Sequence, residues 1–122
     1  MAKKILITED SPTILAITKD ALESAGYEVI CARDGQEALD KARKEQPNLI
    51  VLDLMLPKLD GYKVCRMLKF DEKYKLIPII LLTARTNESD IELGKEVRAD
   101  AYLTKPFDAD LLLAKVKDLL KG

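Results

Sequence analysis

Five short apolar runs alternate with stretches of helical periodicity, and this predicts an α/β domain: an open three-layer sandwich with a parallel sheet between two helical layers. The third run, Leu49-Ile50-Val51-Leu52, is apolar on both faces, as a strand is when helices cover its sheet on both sides. The 122 residues fit one domain, residues 1–122, and are too few for a closed eightfold barrel.

The first run, Ile5-Leu6-Ile7, predicts the first strand. Ser11 and Pro12 then read as the N-cap and first position of a helix. Its stripe of Ile14, Thr18, Ala21, Leu22 and Ala25 stops at Gly26, with Ile17 at the edge. Tyr27 to Ala32 is the second strand. Asp34 with Glu37 three residues on resembles a capping box that opens a helix ending near Pro47. The third strand ends at Asp53, and Pro57 to Gly61 supply turn chemistry. A helix is expected from about Tyr62 to Phe70, and a fourth strand from Ile77 to Leu82 that ends at Thr83. A helix from about Glu88 to Val97, a short strand Ala101-Tyr102-Leu103 and a last helix from about Asp108 to Leu120 complete five strands and five helices. Leu111, Leu112 and Leu113 cannot all face one narrow stripe, so one of them is expected to border a wider core or a partner.

Composition excludes several functions. Lys plus Arg number 20 and Asp plus Glu 21, a net charge of −1 with both signs interleaved, which argues against nucleic-acid or anionic-membrane binding by bulk attraction. No histidine is present, so Ser-His-Asp and Cys-His catalysis and histidine zinc ligation are excluded, and any phosphohistidine must come from a partner. Cys31 and Cys65 lack CxxC spacing and suit inert thiols in a reducing compartment. No stretch approaches the roughly 18 apolar residues of a membrane span, so the protein is expected to be cytoplasmic.

Each apolar run gives way to polar residues at one rim. Glu9 and Asp10 follow the first strand, Asp53 the third, Thr83 the fourth and Lys105 the fifth. In open parallel sheets, ligands bind beyond these carboxyl ends, where strand order reverses. Neighbouring strands lie about 4.8 Å apart, and two carboxylates about 5 Å apart repel by roughly 3 kcal/mol at an effective dielectric near 20. One lysine does not balance three carboxylates. A hard divalent cation does, and carboxylates with a backbone oxygen and water suit Mg²⁺. The alternative is that the acids cap helices, Asp10 capping the one at Ser11-Pro12. A carboxylate beside Mg²⁺ can act as a nucleophile toward a phosphoryl group. Asp53, the only acid following the central strand, is the best placed, with Thr83 and Lys105 to hold the phosphoryl oxygens.

These residues resemble the response-regulator receiver domain of two-component signalling (CheY-like). The likeness runs the length of the chain: Glu9-Asp10, Asp53-Leu54-Met55-Leu56-Pro57 with Asp60-Gly61, Thr83-Ala84, and Tyr102-Leu103-Thr104-Lys105-Pro106-Phe107. The resemblance implies a flavodoxin-like sheet of order 2-1-3-4-5. It implies Asp53 as phosphoacceptor and Asp10, Asp53 and the Met55 backbone carbonyl as Mg²⁺ ligands, with Glu9 acting through water. It implies Thr83 and Tyr102 as a switch pair, Lys105 as a contact to the phosphoryl group, and a cis Lys105-Pro106 bond. Tyr102 as a core aromatic and Pro106 as the start of the last helix are the plainer alternatives.

The donor implied is a histidine kinase or phosphotransfer protein, with Ile17, Pro106 and Phe107 as docking contacts; for these, core packing is the competing reading. Met55 and Arg85 are expected to slow self-dephosphorylation. The chain departs from the family at Arg98, where glycine is common, and at Gly94, which weakens the expected helix over 88–97. The surface of that helix, the fifth strand and the last helix is expected to carry output to an unknown protein target, as a monomer or a phosphorylation-dependent dimer. Nothing follows Gly122, so noncovalent partners are expected unless the sequence is part of a longer protein. The protein is expected to be a signalling switch, not an enzyme on other substrates. The rivals are a pseudo-receiver that works without phosphate, an aspartyl-nucleophile phosphatase that would want an acid where Met55 stands, and a flavin-binding relative disfavoured by the anionic rim.

Overall fold

The computed structural model describes residues 2–54, 56, 58–83, 98–105 and 107–121. Strands β1 (Lys4–Thr8), β2 (Glu28–Ala32), β3 (Leu49–Asp53), β4 (Ile79–Thr83) and β5 (Ala101–Thr104) form one parallel sheet in the order β2-β1-β3-β4-β5. Helices α1 (Pro12–Ser24), α2 (Gly35–Glu45), α3 (Gly61–Lys69) and α4 (Ala109–Leu120) cover it. The helix expected over 88–97, with Gly94 in it, lies outside the described residues.

Strand alternation divides the core in two. Leu6, Ile50, Leu52, Ile79 and Leu81 pack with Ala38, Leu39 and Ala42 of α2 and Val64, Cys65 and Leu68 of α3. Ile5, Ile7, Leu49, Val51, Ile80 and Leu82 pack with Leu15 and Leu22 of α1 and Leu112 and Val116 of α4. Both faces of the sheet are thus buried under helices, as the unbroken run of the third strand requires.

Polar residues start the helices where the sequence places them. Ser11 accepts the Ile14 N–H with Pro12 at the first position, and Asp34 accepts the Glu37 N–H at 2.8 Å. Asp60 accepts the Lys63 N–H at 3.0 Å, so α3 begins at Gly61, one residue before the expected start. Asp108 caps α4. That helix opens at Ala109, and Pro106 lies outside the described residues.

Two local expectations are corrected, and a third is resolved. The buried stripe of α1 is Leu15, Thr18 and Leu22, whereas Ile14 and Ala25 are exposed. The stripe turned out narrower than the apolar residues available to fill it. Thr18 joins it because its hydroxyl donates to the Ile14 carbonyl at 2.7 Å, which satisfies the hydroxyl locally. The fourth strand starts at Ile79 instead of Ile77: Pro78 offers β3 only a carbonyl, which accepts the Ile50 N–H at 2.9 Å. Of the three consecutive leucines, Leu112 is buried, Leu113 is half-buried and Leu111 is 49% exposed, which makes Leu111 the one that borders solvent.

At the amino ends of the strands, Lys69 is only 6% exposed. Its ammonium pairs with Asp100 and donates to the carbonyls of Lys75 (3.2 Å) and Ile77 (2.8 Å). Asp100 also accepts the Ile79 N–H at 2.8 Å, so one ion pair ties the end of α3 to the starts of β4 and β5. Breaking a buried pair typically costs about 3–5 kcal/mol, and the partly exposed Asp100 lowers that figure. Asp100→Ala is expected to destabilise the fold by about 2–3 kcal/mol in urea unfolding. A loss under about 0.5 kcal/mol, the level of an ordinary surface substitution, would show that the pair is not structural.

Candidate functional site

Register brings the site together. Thr8 pairs with Leu52, Asp53 with Leu82 and Thr83 with Thr104, so the carboxyl ends of β1, β3, β4 and β5 reach one rim. Asp53 is held there by its backbone. Its N–H donates to the Thr8 hydroxyl at 3.3 Å, and that hydroxyl donates to the Val51 carbonyl at 2.8 Å. A Cβ on Gly61 would meet the Asp53 carbonyl oxygen at 2.3 Å, so only glycine lets α3 start this close behind the strand.

Glu9 and Asp53 are each 2% exposed, while Asp10 is exposed. Glu9 is oriented at three points. Its N–H donates to the Ala32 carbonyl at 3.1 Å, its Oε2 accepts the Ser11 N–H at 3.2 Å, and its Oε1 lies 3.0 Å from the Lys105 ammonium. Lys105 also pairs with Asp53 Oδ2, and its own N–H donates to the Thr83 carbonyl at 2.6 Å. One ammonium therefore bridges two buried carboxylates. Asp10 is not the cap of α1, a role Ser11 fills, so its carboxylate remains available at the rim.

Glu9, Asp10 and Asp53 each offer an oxygen, and these atoms lie within 4.8 Å of one another. Three negative charges against one positive leave a deficit, and repulsion at this spacing is worth about 3 kcal/mol per pair at an effective dielectric near 20. The donor set is all hard oxygen, so the arrangement fits a hard divalent cation and not a soft one.

Burial alone would lower the Lys105 pKa. The hydrogen bonds and charges of Asp53 and Glu9 outweigh it and hold the ammonium above its ordinary value of 10.5. Thr83 is 2% exposed. Parallel pairing sets Leu81 beside Tyr102 and Thr83 beside Thr104, so strand alternation puts Thr83 on the sheet face that Tyr102 occupies, one pleat further on. Tyr102 is half-buried against the core on the α2 and α3 side, and its hydroxyl is enclosed with no hydrogen-bond partner among the described residues. Burial raises its phenol pKa, with Cys65 and Asp100 acting in the same direction. Burial also pushes the Cys65 thiol up to about 12, which makes it inert.

The other expected residues separate. Ile17 is 63% exposed on α1, so core packing is not its role. Phe107 is half-buried and packs on the core beneath α1 and α4. Met55, Pro57, Arg85 and Pro106 lie outside the described residues. Sequence reasoning missed Thr8 and Gly61 as positioning residues. The one signal for Thr8 was a hydroxyl closing an apolar run immediately before two acids.

An acidic rim with one lysine, at the switch point of a 2-1-3-4-5 parallel sheet, defines a receiver-type site. Residues 5–117 match the response regulator receiver domain family, and the chain belongs to it. Over 121 residues it is 49% identical to the alkaline phosphatase synthesis transcriptional regulatory protein PhoP of Bacillus subtilis, covering 99% of this chain and 50% of that protein. The chain spans about half the length of the curated relatives it matches. Among solved structures it resembles the chemotaxis response regulator CheY4 of Vibrio cholerae (35% identity, TM-score 0.92, covering 98% of this chain and 100% of that one). It also resembles the receiver domain of the sensor histidine kinase PA1611 of Pseudomonas aeruginosa, solved with a magnesium ion in its active-site cleft (31% identity, TM-score 0.92, covering 100% of both chains). Receiver domains are the signalling switches of two-component systems, and the flavodoxin-like, CheY-like fold is that of this chain.

Lys105→Met strips both buried carboxylates of their cation and is expected to lower stability by about 2 kcal/mol at neutral pH. A lysine whose folded pKa is raised stabilises fully below its unfolded pKa and loses that contribution as pH rises through the folded one. The difference between wild type and variant, measured by urea unfolding, should therefore hold steady from neutral pH and shrink only above 10.5. A difference that shrinks already between pH 7 and about 9 would mean that the ammonium is not held by these acids.

Proposed function

We propose that residues 1–122 act as a receiver unit in which Asp53 accepts a phosphoryl group from a partner phosphohistidine in a Mg²⁺-dependent reaction. The observation that carries the reading is Lys105 bridging Glu9 and Asp53 while three carboxylate oxygens crowd within 4.8 Å. Asp10, Asp53 and the Met55 carbonyl would hold Mg²⁺, with Glu9 acting through water, and the ion would supply charge neutralisation at the transferring phosphoryl group. An Asp53 carboxylate oxygen forms the new bond to phosphorus. The P–N bond of the donor breaks, and its electron pair leaves with the imidazole. Lys105 keeps its contact to the rim and meets the new phosphoryl oxygens. These 122 residues hold no histidine, so the donor imidazole lies outside them, on a histidine kinase or phosphotransfer unit.

Output follows from the pair on one sheet face. Thr83 turns toward the phosphoryl group, and Tyr102, whose enclosed hydroxyl lacks a partner among the described residues, settles in the space released. The surface of β5, α4 and the expected helix over 88–97 then changes its affinity for a protein target. The two free cysteines suit a reducing cytoplasm, and no helix among the described residues is long and apolar enough to cross a membrane.

Incubation with Mg²⁺ and acetyl phosphate, read by intact mass, tests the chemistry. One added phosphoryl group is expected, absent without Mg²⁺ and absent in Asp53→Asn. No addition, where a known receiver reacts, would move the reading to an interaction module that works without phosphate. Ile17→Asp tests the donor side and is expected to slow transfer from the cognate kinase at least about tenfold, since hydrophobic anchors of an interface commonly carry 1–2 kcal/mol. Reaction with acetyl phosphate should stay intact in this variant. Equal losses with both donors would argue against docking at α1.

A further inference from the structure

A second polar site lies beside the acidic rim, toward the edge of the sheet. Between α1 and α2, at the end of the edge strand β2, is a cleft of about 430 Å³, within the range of ligand pockets. Leu15 and Ala16 form its apolar wall, and Lys19, Arg33 and Lys41 line it with Glu37 and Cys31. Lys41 is engaged: it pairs with Glu37 at 3.0 Å and donates to the Cys31 carbonyl at 2.5 Å. Lys19 and Arg33 are exposed and form no ion pair among the described residues, so the cleft keeps an excess of positive charge that nothing in the fold uses.

We propose that this cleft binds a small organic anion, with a carboxylate, phosphate or phosphonate head between Lys19 and Arg33 and an apolar body against Leu15 and Ala16. Burial raises the Cys31 thiol above its ordinary value and Glu23 adds to it, while Lys19, Lys41 and Arg33 pull the other way; all three cations therefore bear on a residue that lines the cleft. Without Mg²⁺ the acidic rim repels the same ligand, so the metal-free chain offers it this cleft and not the rim. They also share backbone. Arg33 follows Ala32, whose carbonyl accepts the Glu9 N–H at 3.1 Å, so an occupant pulling on Arg33 bears on the strand end that orients Glu9.

Phenylphosphonate is a suitable probe because its P–C bond transfers no phosphoryl group to Asp53. Titrated into the whole chain without Mg²⁺ and followed by amide NMR, it should give saturable shifts at residues 15–19 and 31–41, while neutral benzyl alcohol gives none. Lys19→Gln with Arg33→Gln, both at exposed positions, should weaken binding at least about tenfold, as expected for lost charge-assisted contacts. Cys31 gives an independent readout. Iodoacetamide should label it and spare the buried Cys65, and phenylphosphonate should slow that labelling in the wild type only. Shifts that do not saturate, an equal response to benzyl alcohol, shifts centred on Asp53, or unchanged affinity in the double variant would each overturn the proposal.

Discussion

The crowding of like charges at the end of the sheet is the constraint on which the rest of the site depends. Parallel register carries Glu9 and Asp53 to the same rim whatever their repulsion, because the strands that bear them are fixed by two fully buried cores. Repulsion of a few kcal/mol cannot move strands whose packing is worth far more in total. Local contacts absorb it instead. Thr8 anchors the Asp53 amide, the Ser11 amide takes one Glu9 oxygen, and Lys105 spans the remaining gap. Lys105 reaches inward because its own amide extends the pairing of β5 onto the Thr83 carbonyl. The carboxylates are thus held by the backbone in a state short of positive charge, the condition under which a divalent cation gains the most from a prearranged site.

Much of this was legible because the site residues fall where apolar runs break. Glu9, Asp53, Thr83 and Lys105 announce themselves by interrupting strands, and a parallel sheet guarantees that such interruptions share one edge. What stayed hidden needs contacts between elements distant in the chain. Gly61 reads as turn chemistry until the Asp53 carbonyl is seen against it. Lys69 reads as a solvated helical charge until the carbonyls of Lys75 and Ile77 close over it. The choice between Ile14 and Leu15 on α1 turns on the width of the buried stripe. Helical periodicity fixes the spacing of such a stripe more firmly than its rotation about the helix axis.

Arg98 shows a departure from family pattern acquiring a physical meaning. The sequence marked it because relatives often carry glycine there, and its φ of 64° explains why they do. A residue with a side chain loses about 1–2 kcal/mol in that left-handed region. Its guanidinium lies 4.4 Å from the centre of the Phe70 ring, a cation–π contact worth about 0.5–1 kcal/mol at an exposed site. Part of the backbone penalty is therefore offset. The same stack covers a phenylalanine that sits at the end of α3 and is 54% exposed.

The two ends of the sheet divide the work. At the amino ends, Lys69 and Asp100 are opposite charges, and with the carbonyls of Lys75 and Ile77 and the Ile79 amide they lock α3, β4 and β5 together. At the carboxyl ends, like charges face one another with a single lysine between them. β4 and β5 run through both, each fixed at its start and bearing candidate-site residues toward its finish: Thr83 closes β4, and β5 carries Tyr102 and leads to Lys105. Under the proposed function, a change of charge at Asp53 acts at the ends of strands whose opposite ends are clamped. On the same proposal, side chains at the rim repack while the sheet keeps its register, which is what a switch needs if it is to be both reversible and specific.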